Sequence, residues 1–236
     1  MSRLSAVDIE AILFDKDGVL IDFDRTWGEW GRRFIDDLAD GDDELRQHLA
    51  DALVYDNEAS IFLPTSPIIA GTSDTWFKLI APELPDRTQE ELVSFAIAAL
   101  KQTTVVALVD LDSVLRELRG LGLPLGIATN DHEESARRQM TGLGVVDHFE
   151  KIMGFDSGYG AKPEPGMQLA FAKHLGISPG RIAMVGDSTH DLFAGAAAGM
   201  VCVGVLSGPA KKVDLAPHAE VVLPDIGHLV GWMTDS

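Results

Sequence analysis

Short apolar runs, each ended by glycine or a polar residue and followed by a stretch of helical periodicity, constrain this chain more than any other feature. Residues 9–14 read as a buried strand, and Asp112 to Arg119 as a helix closed by Gly120. Pro124 to Ala128 is the next strand, His132 to Gly142 a helix, Lys151 to Gly154 a short strand and Pro165 to Leu175 a helix. Arg181 to Val185 is a strand, His190 to Ala198 a helix ending at Gly199, and Val201 to Val205 and Glu220 to Leu223 are the last two strands. Strands that alternate with helices are joined by crossovers. The stable outcome is a parallel sheet with helices on both faces. The expected class is α/β, a Rossmann-like parallel sheet core.

The alternation has one long interruption. Between about residues 22 and 103 no strand pattern is visible. Trp27, Trp30, Phe34 and Leu38 recur at three- and four-residue spacing, and Leu45, Leu49 and Leu53 continue into a second helix. Pro64, Pro67, Pro82 and Pro85 punctuate two further short segments. Glu90 to Lys101 places Val93, Ala96, Ile97 and Leu100 on one helical face. The expected organisation is a catalytic core of residues 1–21 and 104–236, interrupted by an all-helical lid, residues 22–103. Acidic side chains outnumber basic ones 17 to 7 across residues 20–104, which speaks against a polyanion-binding role for the lid.

Charge narrows the partners. The chain has 236 residues and a net charge of −18, with no Lys/Arg cluster. Nucleic-acid binders show a basic patch, and anionic membranes attract basic segments, so neither partner is expected. A small anionic substrate remains open, because a local lysine and a metal ion can hold one. Cys202 is the single cysteine, which rules out an internal disulfide; within Met200-Val201-Cys202-Val203 it reads as a buried, inert thiol. Met1 to Glu10 lacks an apolar signal core, and no stretch approaches the roughly 18 apolar residues of a membrane span. A cytoplasmic location is the expectation. No feature of the sequence sets an oligomeric state.

In open parallel sheets, ligands bind outside the carboxyl ends of the strands. Four polar groups stand at such ends. Asp15 and Asp17 follow Ala11-Ile12-Leu13-Phe14, where an unpaired carboxylate costs several kcal/mol to desolvate. Thr129 and Asn130 follow Leu125-Gly126-Ile127-Ala128. Lys162 follows Ile152-Met153-Gly154, held extended by Pro163. Asp187, Ser188 and Asp191 follow Ile182-Ala183-Met184-Val185-Gly186. Taken singly, each has a second meaning. The Asp pair could be turn residues beside Gly18, and Thr129-Asn130 a helix cap. Lys162 could be a solvated side chain, and Asp187 and Asp191 a cap plus a surface charge. The specificity lies in the ordered set.

That set resembles the four motifs of the haloacid dehalogenase superfamily: Asp15-Lys16-Asp17-Gly18-Val19-Leu20, Ala128-Thr129-Asn130, Ala161-Lys162-Pro163 and Gly186-Asp187-Ser188-Thr189-His190-Asp191. The helical interruption resembles the family's type-1 cap, and the combination is most similar to the phosphoglycolate phosphatase branch. The resemblance implies a phosphatase acting on a small phosphorylated metabolite, phosphoglycolate-like or a sugar phosphate. It implies that Asp15 stays ionised and attacks phosphorus to form an aspartyl phosphate, while Asp17 protonates the leaving oxygen and then activates water. Thr129, Asn130 and Lys162 would bind the phosphoryl group, Lys162 also neutralising charge on the nucleophile. Mg²⁺, which suits all-oxygen ligands, would be held by the Asp15 carboxylate, the Asp17 backbone carbonyl and Asp187, with Asp191 in support. Dehalogenase and phosphonatase members lack an acid at the Asp17 position, so its presence points to a C–O–P substrate. Lys16 departs from the pattern, since an apolar residue is common there. Asp-Lys also resembles the phosphorylated motif of P-type ATPases, but those pumps need membrane spans.

Rival functions share parts of the set. A phosphomutase on the same scaffold would pass the phosphoryl group to a sugar hydroxyl. A phospho-aspartate signalling module also uses Asp, Thr, Lys and Mg²⁺, yet is about half this length and carries no acid two residues after its phosphorylated Asp. A catalytically silent binding protein fits poorly with an intact motif set. Arg25, Arg32, Arg33 and Trp27 lie early in the lid and either face the crevice or decorate the surface. The histidines, His132 and His190 included, have no metal-like spacing.

Overall fold

The computed structural model describes residues 9–69 and 71–234. The expectation about a signal segment therefore falls mostly outside the described residues. The chain divides into two compact units, one running to Asp22 and resuming at Ala107, the other comprising Phe23–Val106.

The elements in chain order are β1 (Ala11–Phe14), α1 (Phe23–Ala39), α2 (Asp43–Leu53), β2 (Tyr55–Asp56), β3 (Ile61–Phe62), α3 (Ser73–Ile80) and α4 (Gln89–Gln102). There follow α5 (Leu111–Gly120), β4 (Leu125–Ala128), α6 (Glu133–Gly142), β5 (Phe149–Met153), α7 (Gly166–Leu175), β6 (Ile182–Gly186) and α8 (Thr189–Ala198). β7 (Val201–Val205), α9 (Lys212–Leu215), β8 (Val221–Leu223) and α10 (Leu229–Thr234) complete the described chain.

The larger unit is built on a six-stranded sheet in the order β5-β4-β1-β6-β7-β8, parallel throughout. β1 is a central strand covered on both faces, which is why it reads as an unbroken apolar run. Ile12, Leu13 and Phe14 are fully buried, each worth about 1.5–3 kcal/mol of transfer free energy. Side chains alternate across the pleat: Ala11 and Leu13 pack with Ile182 and Met184 against Met167 and Phe171 of α7. An Asp in place of Leu13 would bury an unpaired charge there and break the sheet's middle.

The topology also chooses where a ligand goes. From β1 the chain moves outward through β4 to β5, then returns to the other side of β1 as β6. The loops after β1 and β6 thus diverge at a topological switch point, the usual place for a crevice. Asp15 N–H donates to Val185 O at 2.9 Å, so Asp15 and the β6 end that carries Asp187 start from paired backbone.

The unit Phe23–Val106 has its own core. Trp30 stacks on Phe34 at 4.9 Å between ring centres, and Trp76 meets Phe34 edge-on at 5.3 Å. Trp30 Nε1 donates to Ala96 O (3.1 Å), which ties α1 to α4. Asp42 caps α2 by accepting from the N–H groups of Glu44 and Leu45, and Thr88 with Glu91 forms a capping box on α4. The expectation of an all-helical lid needs correction, because β2 and β3 pair as an antiparallel ladder, Tyr55 opposite Phe62 and Asp56 opposite Ile61. Tertiary packing creates this pair. Tyr55 and Phe62 lie edge to face at 5.0 Å, and the Tyr55 hydroxyl donates to Gly28 O on α1 at 2.8 Å. No helix among the described residues is long and apolar enough to cross a membrane.

Candidate active site

Three carboxylates and one ammonium meet at the carboxyl ends of β1 and β6. Lys162 Nζ lies 2.6 Å from Asp15 Oδ1 and 2.6 Å from Asp191 Oδ1. One oxygen from each of Asp15, Asp187 and Asp191 lies within 4.8 Å of the other two, and all three residues are buried. Local structure explains each position. Asp191 sits at the third residue of α8, where its Oδ2 accepts from Ser188 N–H (3.1 Å) and Ser188 Oγ (2.7 Å). It therefore caps the helix with one oxygen and holds Lys162 with the other, so the cap and the site share a residue. Asp187 stands directly after β6 with two glycines against it. A Cβ on Gly18, which turns the β1 loop at φ +77°, would lie 2.3 Å from Asp187 Oδ2, and a Cβ on Gly208 would lie 1.6 Å from it. Ser207 Oγ donates to Gly18 O at 2.7 Å, joining the loop after β7 to the loop after β1.

The charge balance is negative. Burial above all pushes the Asp15 carboxyl up to about 7; Lys162 pulls it down, while Asp191 and Asp17 add to the rise. Asp187 is raised well above the ordinary carboxylate range by burial, with Asp191 and Asp15 adding to it. Burial works against the Lys162 ammonium, but Asp15 and Asp191 outweigh it and hold its charge above the ordinary lysine value. Asp15 was expected to stay ionised. From the protein groups alone it needs more positive charge than Lys162 provides. A buried, all-oxygen group with surplus negative charge suits a hard divalent cation.

Asn130 spans the backbone of Lys162: its Oδ1 accepts from Lys162 N–H (2.8 Å) and its Nδ2 donates to Lys162 O (3.1 Å). This amide fixes the lysine from the neighbouring loop. Thr129 is buried at the end of β4, its N–H bonded to Met153 O (3.0 Å) and its Oγ1 accepting from Asp131 N–H (3.1 Å). Its hydroxyl thus shapes the turn before α6 rather than capping that helix, whose N-cap position is His132.

Asp17 stands apart from the carboxylate trio. Its Oδ2 lies 2.8 Å from the Nζ of Lys16, a lysine with no exposed surface. Lys16 Nζ also donates to Gln139 Oε1 (2.6 Å) and lies 3.1 Å from Asp131 Oδ2. Burial opposes this charge as well, yet Asp17 and Asp131 overcome it and raise the Lys16 ammonium above its ordinary value. Sequence reasoning singled out neither Asp131 nor Gln139. Gln139 carried a usable signal: it shares a buried helical face with Ser135, Ala136 and Met140, where a polar residue requires a partner. Of the arginines early in the lid, Arg32 pairs with Asp36 at 3.1 Å and Arg33 with Glu29 at 2.6 Å on the surface of α1. Cys202 is buried, and burial, with a smaller push from Asp191, raises its thiol to about 11, as expected of an inert cysteine.

A family model for haloacid dehalogenase-like hydrolases matches residues 9–199. The chain belongs to that family. It is 30% identical to a phosphoglycolate phosphatase of Chromobacterium violaceum over 95% of its own length and 96% of that protein's. A shorter match, 42% identical over 91 residues, links it to a phosphoglycolate phosphatase of Neisseria meningitidis and spans 39% of each chain. Among solved structures, a putative β-phosphoglucomutase from Thermotoga maritima superposes with a TM-score of 0.72 at 16% identity, covering 96% of this chain and 99% of that one. That likeness concerns the fold.

Proposed function

We propose that this family member is a Mg²⁺-dependent phosphoric monoester hydrolase acting on a small phosphorylated metabolite of the phosphoglycolate or sugar-phosphate class. The observation that carries the reading is the Lys162 ammonium bonded to both Asp15 and Asp191 at the switch point, with Asp187 beside them. The phosphoglycolate phosphatase relative aligned over 95% of the chain favours the same substrate class.

In the proposed reaction an Asp15 carboxylate oxygen forms a bond to phosphorus as the bond from phosphorus to the leaving oxygen breaks. Asp17 gives its proton to that oxygen, and the alcohol departs. Asp17 then takes a proton from water, whose oxygen bonds to phosphorus, and Asp15 is released with inorganic phosphate. Lys162 offsets negative charge on the nucleophile and the phosphoryl oxygens. Thr129 bonds a phosphoryl oxygen, and Asn130 serves the phosphate by holding Lys162. Asp15, Asp187 and the Asp17 backbone carbonyl would hold the ion, supported by Asp191; when bound it supplies the positive charge that keeps Asp15 ionised and draws the anionic substrate in. The unit Phe23–Val106 acts as the cap that excludes water and selects the leaving group.

A screen of phosphorylated metabolites with Mg²⁺, reading inorganic phosphate, tests this. At least one alkyl phosphate should be hydrolysed, and Asp15→Asn should abolish the activity. Full activity in Asp15→Asn, or sugar-phosphate isomerisation without phosphate release, contradicts the proposal.

A further inference from the structure

The proposed mechanism gives Lys16 no work, yet taking its ammonium out of water carries a desolvation cost. It is a lysine with no exposed surface, and three oxygens surround its Nζ: Gln139 Oε1 at 2.6 Å, Asp17 Oδ2 at 2.8 Å and Asp131 Oδ2 at 3.1 Å. The Gln139 contact is a hydrogen bond, and the Asp17 and Asp131 contacts are ion pairs. Buried ion clusters are weak devices for stability, and well-packed apolar replacements often do as well or better. A cluster kept at such a cost beside a reactive carboxylate invites a functional explanation.

The surroundings give one. Asp131 lies in the turn between β4 and α6, and Gln139 lies on α6. Both belong to the neighbouring strand–helix connection, whereas Asp17 belongs to the glycine-containing loop after β1. Lys16 therefore ties a carboxylate on the loop after β1 to a helix residue, Gln139, and to the turn that precedes that helix. The Asp17 side chain is about 15% exposed, and its Oδ2 is the oxygen so tied. The two aspartates of the opening motif are thus matched with two buried lysines: Lys162 on Asp15, Lys16 on Asp17.

We propose that Lys16, braced by Asp131 and Gln139, is a positioning residue that fixes the Asp17 carboxylate for proton delivery to the leaving oxygen. The proposal rests on the assignment of Asp17 as proton carrier, and it goes beyond that assignment by naming what aims it. Its consequence is a dependence on the leaving group. An alkyl alcohol departs poorly without a proton, whereas p-nitrophenolate departs without one. Misplacing the acid should therefore damage cleavage of alkyl esters selectively. A general structural loosening should damage both alike.

The test compares kcat/KM for an alkyl monoester that the wild type turns over with kcat/KM for p-nitrophenyl phosphate. This constant reports events up to departure of the alcohol, so the later water step does not intrude. Lys16→Met should lower the alkyl value on the order of 10²-fold, the loss typical of a reacting group displaced by about 1 Å. The aryl value should fall at least about tenfold less. Gln139→Met keeps every charge and removes only the brace; it should show the same selectivity at smaller amplitude, and it stands in if Lys16→Met does not fold. In an Asp17→Asn background, Lys16→Met should add no further alkyl-selective loss. Equal losses on the two substrates, or an alkyl loss under about threefold, overturns the role of Lys16. Asp17→Asn by itself separates the two levels: alkyl-selective loss there with none in Lys16→Met rejects this inference alone, and no selectivity there rejects the assignment of Asp17 and the inference with it.

Discussion

Gly208→Ala should cripple metal binding although residue 208 offers no ligand. A Cβ at this position would lie 1.6 Å from Asp187 Oδ2, 2.4 Å from its Cγ and 2.7 Å from its Cβ. Ordinary contact begins near 3.4 Å. Rotating the carboxylate cannot cure the clash, because the Asp187 Cβ is itself too close, so one of the two loops must move. The tip oxygen has to shift by about 2 Å, out of a carboxylate group whose three oxygens lie within 4.8 Å of one another. Supporting residues around metal sites typically contribute 10- to 100-fold in affinity, and a displaced ligand belongs at the upper end of that range. Mg²⁺ affinity measured by calorimetry should fall about 100-fold, and the rise in Tm on adding Mg²⁺ should shrink with it. Affinity within about threefold of wild type would refute the view that Asp187 is a ligand seated by glycine.

Lys162→Ala should lower the rate on the order of 10²–10³-fold, as for loss of a charge-stabilising donor; steady-state phosphate release checks it, and a loss under about threefold removes Lys162 from the site. Asn130→Ala should slow turnover through Lys162, so its effect should vanish in a Lys162→Ala background; an undiminished effect there would place the Asn130 amide on the phosphate. The gain in Tm from Mg²⁺ should grow between pH 6 and pH 8. Asp15 is pushed from 3.8 to about 7 in the fold, so its contribution to metal-free stability is complete below about pH 4 and is lost as pH rises through 7, while the proton competing with the cation is lost over the same range. A gain that is flat or falls with pH contradicts that assignment.

The parts legible in the sequence are those whose signals are local. Asp15, Thr129 and Asp187 each directly follow a buried apolar strand, and parallel-sheet topology brings those strand ends together; Lys162 lies farther on, in the loop after β5. The helices α1 and α2 announced themselves by apolar spacing; α4 was legible as a helix, but its buried face was not, because Leu92, Ala96 and Ala99 are buried while Val93 and Ile97, expected on the packed face, are exposed. What stayed hidden depends on distant partners. β2 and β3 have two residues each, too few for an alternation to register, and exist because Tyr55 and Phe62 pack together against α1. Gly208 looks like any turn glycine until Asp187 is placed against it. Lys16 is visible in the sequence as a departure from the family pattern, but its meaning needs Gln139, 123 residues away.

The central claim is that Asp15 carries the phosphoryl group. A single-turnover reaction with enzyme in excess over substrate, quenched in acid within the first turnover and mapped by peptide mass spectrometry, tests it most directly. The account predicts transient phosphate on the peptide containing Asp15, formed before inorganic phosphate is released and absent in Asp15→Asn. Inorganic phosphate released without any phosphorylated peptide, or with phosphate on another residue, would contradict it.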